Sequence, residues 1–133
     1  MAMTLVDWSA RICAIADALS VPDGGFSIDP VGGSDVRRGY AVAVHPEHER
    51  VYERRVTSGD IHEYIAQVVD VLSLPGRVLG GWCDPSTGCV YLDVSVVTAD
   101  RSEAMELALK TDQLAIFDFS AMASIPVSAP SAA

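Results

Sequence analysis

The stretch GGWCDPSTGCVYLDV, residues 80–94, decides the fold because it combines a chain reversal with the best-patterned strand of the sequence. Asp84, Pro85 and Gly88 suit a turn, since Asp bonds to nearby backbone, Pro has a preset φ and Gly tolerates positive φ. Apolar and polar residues then alternate over residues 89–97, which is the period of a strand with one buried face. We therefore predict a β-hairpin here.

The elements on either side of this hairpin follow the order β-α-β-β-α-β. Strands are predicted at residues 40–44, 77–83, 89–97 and 114–119, and helices follow the N-cap residues Thr57 and Asp100. A further amphipathic helix is predicted at residues 5–19. This order predicts an α+β, two-layer sandwich with a four-stranded, mainly antiparallel sheet and an extra N-terminal helix. A different strand order within the same two layers is the alternative.

The length of 133 residues predicts one domain. We assign residues 1–119 to it, with the N-terminal helix in residues 1–20, a loop at 21–39 and the core at 40–119. The loop has two Gly-Gly pairs and two prolines, and a short hairpin at residues 26–28 is an alternative there. Residues 51–52 are expected to form a small edge strand, and residues 120–133 a flexible tail.

Charge limits the class of partner. Nine Lys and Arg against 18 Asp and Glu give a net charge of -9. Binding nucleic acid needs clustered basic residues, so we expect no direct contact with nucleic acid and favour a basic protein partner. Imitation of DNA by the acidic surface ranks lowest, because the acids are scattered along the chain. Asp84, Asp93 and Asp118 could converge from predicted strands, although surface carboxylates are the ordinary state in so acidic a protein.

The apolar segments of the sequence are too short to cross a membrane, which takes about 20 residues. The first twenty residues have no basic leader and are interrupted by charges, so no secretory signal is expected. We therefore expect a cytoplasmic protein, with no membrane contact and no cofactor.

The hairpin carries Cys83 and Cys89, two of the three cysteines. They are expected near its mouth, where a disulfide would need Cα atoms within about 7 Å. An odd number of cysteines in a reducing compartment predicts free thiols. Zinc motifs space paired cysteines two to four positions apart, whereas these are six apart. We favour a structural hairpin over a metal or redox site.

A second group of reactive side chains is HPEHE, residues 45–49. His45 and His48 could bind a transition metal or transfer protons, but a proline separates them and a solvated loop is the simpler interpretation. If the first strand neighbours the hairpin, these histidines, Cys83 and Asp84 form the candidate site of a small metal- or thiol-dependent enzyme. We assign no catalytic residue from the sequence.

The segment QLAIF, residues 113–117, resembles the short motif with which bacterial replication proteins dock on the DNA sliding clamp. The resemblance implies an extended peptide in which Gln113 fills a polar pocket and Leu114 and Phe117 fill an apolar one. A buried strand is the competing interpretation, because apolar residues would point to both faces of the sheet. We favour the buried strand, since docking would expose the core.

Residues 24–119 also resemble small orphan proteins encoded by actinobacterial phages and mobile elements. The resemblance rests on the segments GGFSIDP at 24–30, GYAVAVHP at 39–46, LGGWCDPSTG at 79–88, YLDV at 91–94 and DQLAIFD at 112–118. It implies a mobile-element origin and an accessory role. It implies no catalytic residues.

Together these features favour a non-enzymatic function. We expect an accessory protein that binds and modulates a host protein or assembles with its own copies. Trp82, Asp84, Pro85 and Tyr91 are the predicted contact surface, because exposed aromatic residues on a rigid turn are frequent anchors. Complete burial of Trp82 would argue against this surface.

Overall fold

A computed structural model of the chain describes residues 7–127, which form three α-helices and seven strands. The helices are Ile12–Ala18 (α1), Ser58–Leu72 (α2) and Arg101–Lys110 (α3). The strands are Gly25–Ile28 (β1), Tyr40–Val42 (β2), Arg50–Tyr52 (β3), Arg77–Cys83 (β4), Val90–Thr98 (β5), Ala115–Asp118 (β6) and Ala123–Pro126 (β7).

The strands form one antiparallel sheet in the order β1-β4-β5-β2-β6-β7, with β3 also paired to β5. β5 is the central strand and the longest, with nine residues. Its first edge pairs with β4 from Val90 to Val96. Its second edge is shared, because β3 pairs with residues 90–92 and β2 with residues 96–98. The predicted hairpin is therefore the centre of the sheet.

The predicted α+β class is confirmed, but the predicted number of four strands is wrong. β2, β4, β5 and β6 correspond to the four predicted strands and lie side by side as β4-β5-β2-β6. β3 lies where the small edge strand was expected. β1 and β7 enlarge the sheet at its two ends.

β1 lies inside residues 21–39, for which we predicted a loop, and it coincides with the alternative of a short hairpin at residues 26–28. Its four residues pair with residues 79–82 of β4. Glycine is required where the chain enters this strand, because a Cβ on Gly24 would lie 2.0 Å from the carbonyl oxygen of Ala18. The Gly-Gly pair thus allows a close contact between the end of α1 and the sheet.

β7 lies inside the predicted tail, which is therefore wrong for residues 123–126. A turn with Met122 at a φ of 51° returns the chain along β6. Ile125 pairs with Ile116 and packs against the hydrophobic cluster beneath α3. The rest of the predicted tail, residues 128–133, lies outside the described part of the chain.

The N-terminal helix is shorter than predicted. A 3-10 turn at Trp8–Ala10 precedes α1, and the Asp7 side chain caps this turn by accepting a hydrogen bond from the Ser9 amide. The buried face is the one that the spacing predicts, with Trp8, Ile12, Ile15 and Leu19 in the core. The part of the predicted helix before Asp7 lies outside the described residues.

The starts of α2 and α3 are confirmed in detail. Thr57 and Asp60 form a reciprocal capping box at α2. Asp100 caps α3 by accepting from the Ser102 amide at 2.8 Å. Both caps place an acid at the positive end of the helix dipole, which stabilises the first turn.

All three helices pack on one face of the sheet. α1 and α2 bury their apolar faces against Leu92 and Val94 of β5. α3 covers a second cluster that includes Val42, which pairs with Val96 on the same face of β5. Complete burial of an aliphatic side chain stabilises the fold by about 1.5–3 kcal/mol. The opposite face of the sheet is free of the described helices and carries the odd-numbered residues of β5.

Candidate binding surface

A row of apolar side chains crosses the helix-free face at the hairpin end. The strand register places Val51 of β3 opposite Tyr91 of β5, and Tyr91 opposite Trp82 of β4. Trp82 is 42% exposed and Val51 is 49% exposed. We call these three side chains the aromatic row.

The two rings of the aromatic row support each other. Trp82 and Tyr91 have ring centroids 6.0 Å apart and planes inclined by 28°, which is an offset stack. The Trp82 Nε1–H group also donates a 2.8 Å hydrogen bond to Asp23 Oδ1, from the turn before β1. This hydrogen bond and the stack fix the orientation of a ring that nevertheless remains accessible, as a binding anchor requires.

Acidic side chains flank the aromatic row on both sides. Asp93 follows Tyr91 two residues further along β5 and therefore shares its face. Glu49 precedes β3 directly, and continuing the β3–β5 register places it opposite Asp93. On the other side of the row lie Asp84, which follows β4, and Glu53, which follows β3.

Asp93 is partly buried in the middle of the central strand. Loss of hydration, together with the nearby negative charge of Glu49, raises the pKa of Asp93 to about 6, although a hydrogen bond from Ser95 opposes the change. The carboxyl group lies across Gly80 of β4, where a Cβ would approach Asp93 Oδ1 to 2.7 Å. Gly80 therefore makes the room that the acid occupies.

The hairpin tip presents Asp84 and Pro85 beyond the aromatic row. Asp84 accepts hydrogen bonds from the Ser86 hydroxyl at 2.6 Å and the Ser86 amide at 2.9 Å. Both hydrogen bonds lower the pKa of Asp84, and the one from the hydroxyl has the larger effect. Gly88 has a φ of 76°, which is the positive φ that the turn prediction requires of it. Pro85 is exposed at the end of this ordered turn.

The histidines lie away from the hairpin cysteines. The His45 and His48 rings are 5.9 Å apart and both lie near the carboxylate of Glu47. His45 Nε2 is 3.3 Å from Arg77 Nε at the start of β4. Cys83 ends the same strand, six residues or about 20 Å from Arg77. The structure therefore does not bring His45 and His48 together with Cys83 and Asp84 as the enzyme hypothesis assumes.

Among residues 7–127, the structure contains neither a metal site nor the carboxylate cluster of Asp84, Asp93 and Asp118. Within residues 7–127, no three His, Cys, Asp or Glu side chains are grouped so that they could hold a metal ion. Asp118 lies on β6, where its carboxylate accepts from the Ser120 amide. One strand, β2, separates β6 from β5, which carries Asp93, and Asp84 is at the hairpin tip, so the three carboxylates do not converge.

Cys83 and Cys89 do not face each other. Cys83 pairs with Val90, and its side chain is buried in the core under α2. Cys89 is bonded across the hairpin to Asp84, whose amide donates to the Cys89 carbonyl. Neighbouring residues of a strand point to opposite faces, so the two thiols lie on different sides of the sheet. All three cysteines are free thiols.

The clamp-like segment is part of the sheet. β6 lies between β2 and β7, so its backbone hydrogen bonds are already in use on both sides. Phe117 is partly buried and packs edge-to-face on Phe119 at 5.3 Å. Leu114 differs from our expectation of a buried residue, because it is 88% exposed just before β6 begins. Docking on a clamp would require β6 to leave both neighbours.

Sequence reasoning assigned Trp82, Asp84 and Tyr91 to this surface but did not place Val51, Glu49 or Asp93 there. Val51 and Glu49 escaped because β3 has three residues and no long alternating pattern. Asp93 was recognised as a strand carboxylate, and its place on the same face as Tyr91 was readable from the alternation of β5. The partners across the strands depend on the register, which the sequence does not reveal.

The chain matches no known family model, and comparisons with curated proteins and with solved structures found no match. Within residues 7–127, no helix has the length and apolar content needed to cross a bilayer. The function is therefore inferred from the surface chemistry of the described residues.

Proposed function

We propose that the chain is a non-enzymatic binding protein, an accessory product of a phage or mobile element that acts in the cytoplasm of its host. In this proposal the aromatic row docks on a host protein and modulates it. Assembly with further copies of the chain through the same face is the competing form of the proposal.

One observation carries the proposal: the Trp82 ring is stacked and hydrogen-bonded, yet it is 42% exposed. Trp and Tyr are the residue types most enriched among the anchors of protein interfaces, because a rigid ring buries a large area at little cost in conformational entropy. Val51 extends the apolar area, and the surrounding carboxylates form a polar rim. This is the arrangement of an interface centre with a charged border.

The experiment is affinity capture from host lysate with three baits: the parent chain, Trp82→Ala and Leu114→Ala. Leu114→Ala is the matched control, since it also removes an exposed apolar side chain, but at the other end of the sheet. We expect one partner at constant stoichiometry with the parent chain and Leu114→Ala, and its loss with Trp82→Ala. With the purified partner, calorimetry should show a loss of at least about 30-fold, as for an interface anchor worth 2 kcal/mol.

Circular dichroism of Trp82→Ala must match the parent chain, which shows that binding and not folding is lost. Capture that survives in Trp82→Ala would contradict the proposal. Loss of a sliding clamp in Leu114→Ala would instead favour the clamp motif of Gln113, Leu114 and Phe117. Sedimentation of the parent chain as a dimer that Trp82→Ala dissociates would favour self-assembly.

A further inference from the structure

We propose that the partner presents an arginine side chain to the aromatic row, with its guanidinium on the Trp82 ring and in contact with the carboxylates of Asp93 and Glu49. This inference rests on the proposed function and names the chemistry of the partner: an arginine-bearing segment of a basic protein.

The geometry of the sheet places a ring and two acids within reach of one cation. Tyr91 and Asp93 are two residues apart on the same face, or about 7 Å along the strand. Trp82 is directly across from Tyr91, and Glu49 is placed across from Asp93. A guanidinium within about 6 Å of the ring centroid could therefore also meet a carboxylate on the next pair of residues.

The charges on this surface are not balanced by the described part of the chain. Neither Asp93 nor Glu49 takes part in an ion pair within residues 7–127, whereas Asp35 and Asp60 are paired with arginines. A partly buried carboxylate beside a second one is costly, because the negative charge of Glu49 disfavours the charged form of Asp93. A cation supplied by a partner would relieve that cost.

The protein contains the same combination elsewhere, in complete form. The Arg54 guanidinium lies 5.5 Å from the centroid of the Tyr52 ring. It also donates two hydrogen bonds to the carboxylate of Asp60, at 2.6 and 2.9 Å. Tyr52 is on β3 next to Val51, whereas Arg54 follows this strand and Asp60 lies in α2. On the helix-free face the ring and the acids are present and the cation is to be supplied by the partner.

Arginine fits this surface better than lysine. A guanidinium is flat, so it can lie on the Trp82 ring while its edge donates to a carboxylate. It is also more weakly hydrated than an ammonium group, so a partly buried acid such as Asp93 desolvates it at lower cost.

Binding should depend on pH through Asp93. The groups that face it are Glu49 beside β3, Ser95 on β5, Gly80 on β4 and, beyond Gly80, Ser27 on β1. Loss of hydration and then the charge of Asp93 raise the pKa of Tyr64 on α2. With a pKa of about 6, Asp93 is mostly ionised at pH 7 and mostly protonated at pH 5. Because the cation needs the ionised form, affinity should fall as the pH is lowered across this range.

The test uses an acetylated, amidated tetra-arginine peptide and NMR titration of the ¹⁵N-labelled full chain at low salt. We expect shifts centred on Trp82, Tyr91, Asp93 and Val51, with binding weakened at least fivefold in Asp93→Asn/Glu49→Gln. The matched control is Asp17→Asn/Asp70→Asn, which makes the same change in net charge on exposed helix positions and should bind like the parent chain. Tetra-lysine should bind more weakly than tetra-arginine.

At pH 5 the parent chain should bind the peptide several-fold more weakly than at pH 7, while Asp93→Asn should show no such difference. Shifts spread over the whole acidic surface, with equal weakening in both double variants, would overturn the inference. The host partner separates the two proposals: if it needs Trp82 but tolerates Asp93→Asn/Glu49→Gln, the binding function stands and the arginine inference fails.

Discussion

At the scale of the residue, Asp93 is the least expected side chain in the sheet. A carboxylate in the middle of the central strand loses hydration, and the described cations leave it without an ion pair. Proteins normally replace such an acid by an apolar or small polar residue unless the charge is used. The adjoining Gly80 leaves room for the Asp93 carboxylate, although glycine weakens the interior of a strand. The proposed binding of a cation would explain a side chain that costs local stability at this position.

Asp93→Asn should stabilise the fold, and more so at neutral than at acid pH. The pKa of Asp93 is raised to about 6 from an ordinary 3.8, so the unfolded chain releases this proton first as the pH rises. Stability is therefore lost between about pH 4 and pH 6, and each unit of pKa difference is worth about 1.4 kcal/mol. We expect Asp93→Asn to gain about 1–3 kcal/mol in free energy of unfolding at pH 7.5 relative to its effect at pH 4.5.

Urea unfolding at the two pH values measures this difference. Asp70→Asn, an exposed acid on α2, is the control and should show almost none. An Asp93→Asn effect of equal size at both pH values would contradict the raised pKa.

At the scale of the element, helix caps and long apolar patterns explain which helices and strands could be predicted from the sequence. Thr57, Asp60 and Asp100 announce helix starts within a few residues, so α2 and α3 were predicted closely. β4 and β5 were predicted because their apolar patterns are long. β1, β3 and β7 have only three or four residues each, so local propensity predicted β3 as a small edge strand, offered β1 only within an alternative short hairpin and missed β7. The proposed surface was half predicted for the same reason: Trp82 of β4 and Tyr91 of β5 were assigned to it from the sequence, and Asp93 of β5 and the residues of and beside β3 were not.

Asp60→Ala should be the most harmful change among the acids of α2. The carboxylate of Asp60 accepts a 2.8 Å hydrogen bond from the Thr57 amide and one hydrogen bond from each terminal nitrogen of Arg54. The hydrogen bonds from Arg54 have the largest effect on the pKa of Asp60. Together with the bond from the Thr57 amide, they hold this pKa well below its usual range. Loss of the cap and its ion pair should lower the free energy of unfolding by about 1–2 kcal/mol at pH 7.

Because the pKa of Asp60 is lower in the folded chain, its contribution is present above about pH 4 and disappears as the pH falls further. Asp70→Ala, later in the same helix, is the matched control and should cost less than about 0.5 kcal/mol. Chemical denaturation curves at pH 7 would refute the assignment if the two variants were equally stable.

At the scale of the whole molecule, packing and backbone pairing hold the fold together without covalent links among the described residues. Two hydrophobic clusters lie under the helices, and the three cysteines are free. The net charge of -9 opposes compaction but also keeps copies of the chain apart, which favours a basic partner over self-assembly.

The thiols should react in the order of their exposure. Cys13 is exposed, Cys89 is partly buried and Cys83 is buried in the core. A thiol reagent should therefore label Cys13 quickly, Cys89 slowly and Cys83 only on unfolding, for a total of three thiols in denaturant. Reducing agent should leave the melting temperature unchanged. Recovery of a single thiol from the denatured, unreduced chain would reveal a disulfide and contradict this arrangement.

The shared edge of β5 has a consequence for the order in which the chain can mature. β2 and β3 leave the ribosome some forty residues or more before β5, the strand on which both depend. Arg50–Tyr52 has no partner strand until Leu92 has been synthesised, and Tyr40–Val42 has no complete partner on β5 until Thr98 has been synthesised. The β4–β5 hairpin, by contrast, closes locally and within microseconds. A nascent chain therefore forms most of its sheet late, when β5 is complete and can pair with both β2 and β3. The fifteen residues of the hairpin region thus set the timing of folding as well as its outcome.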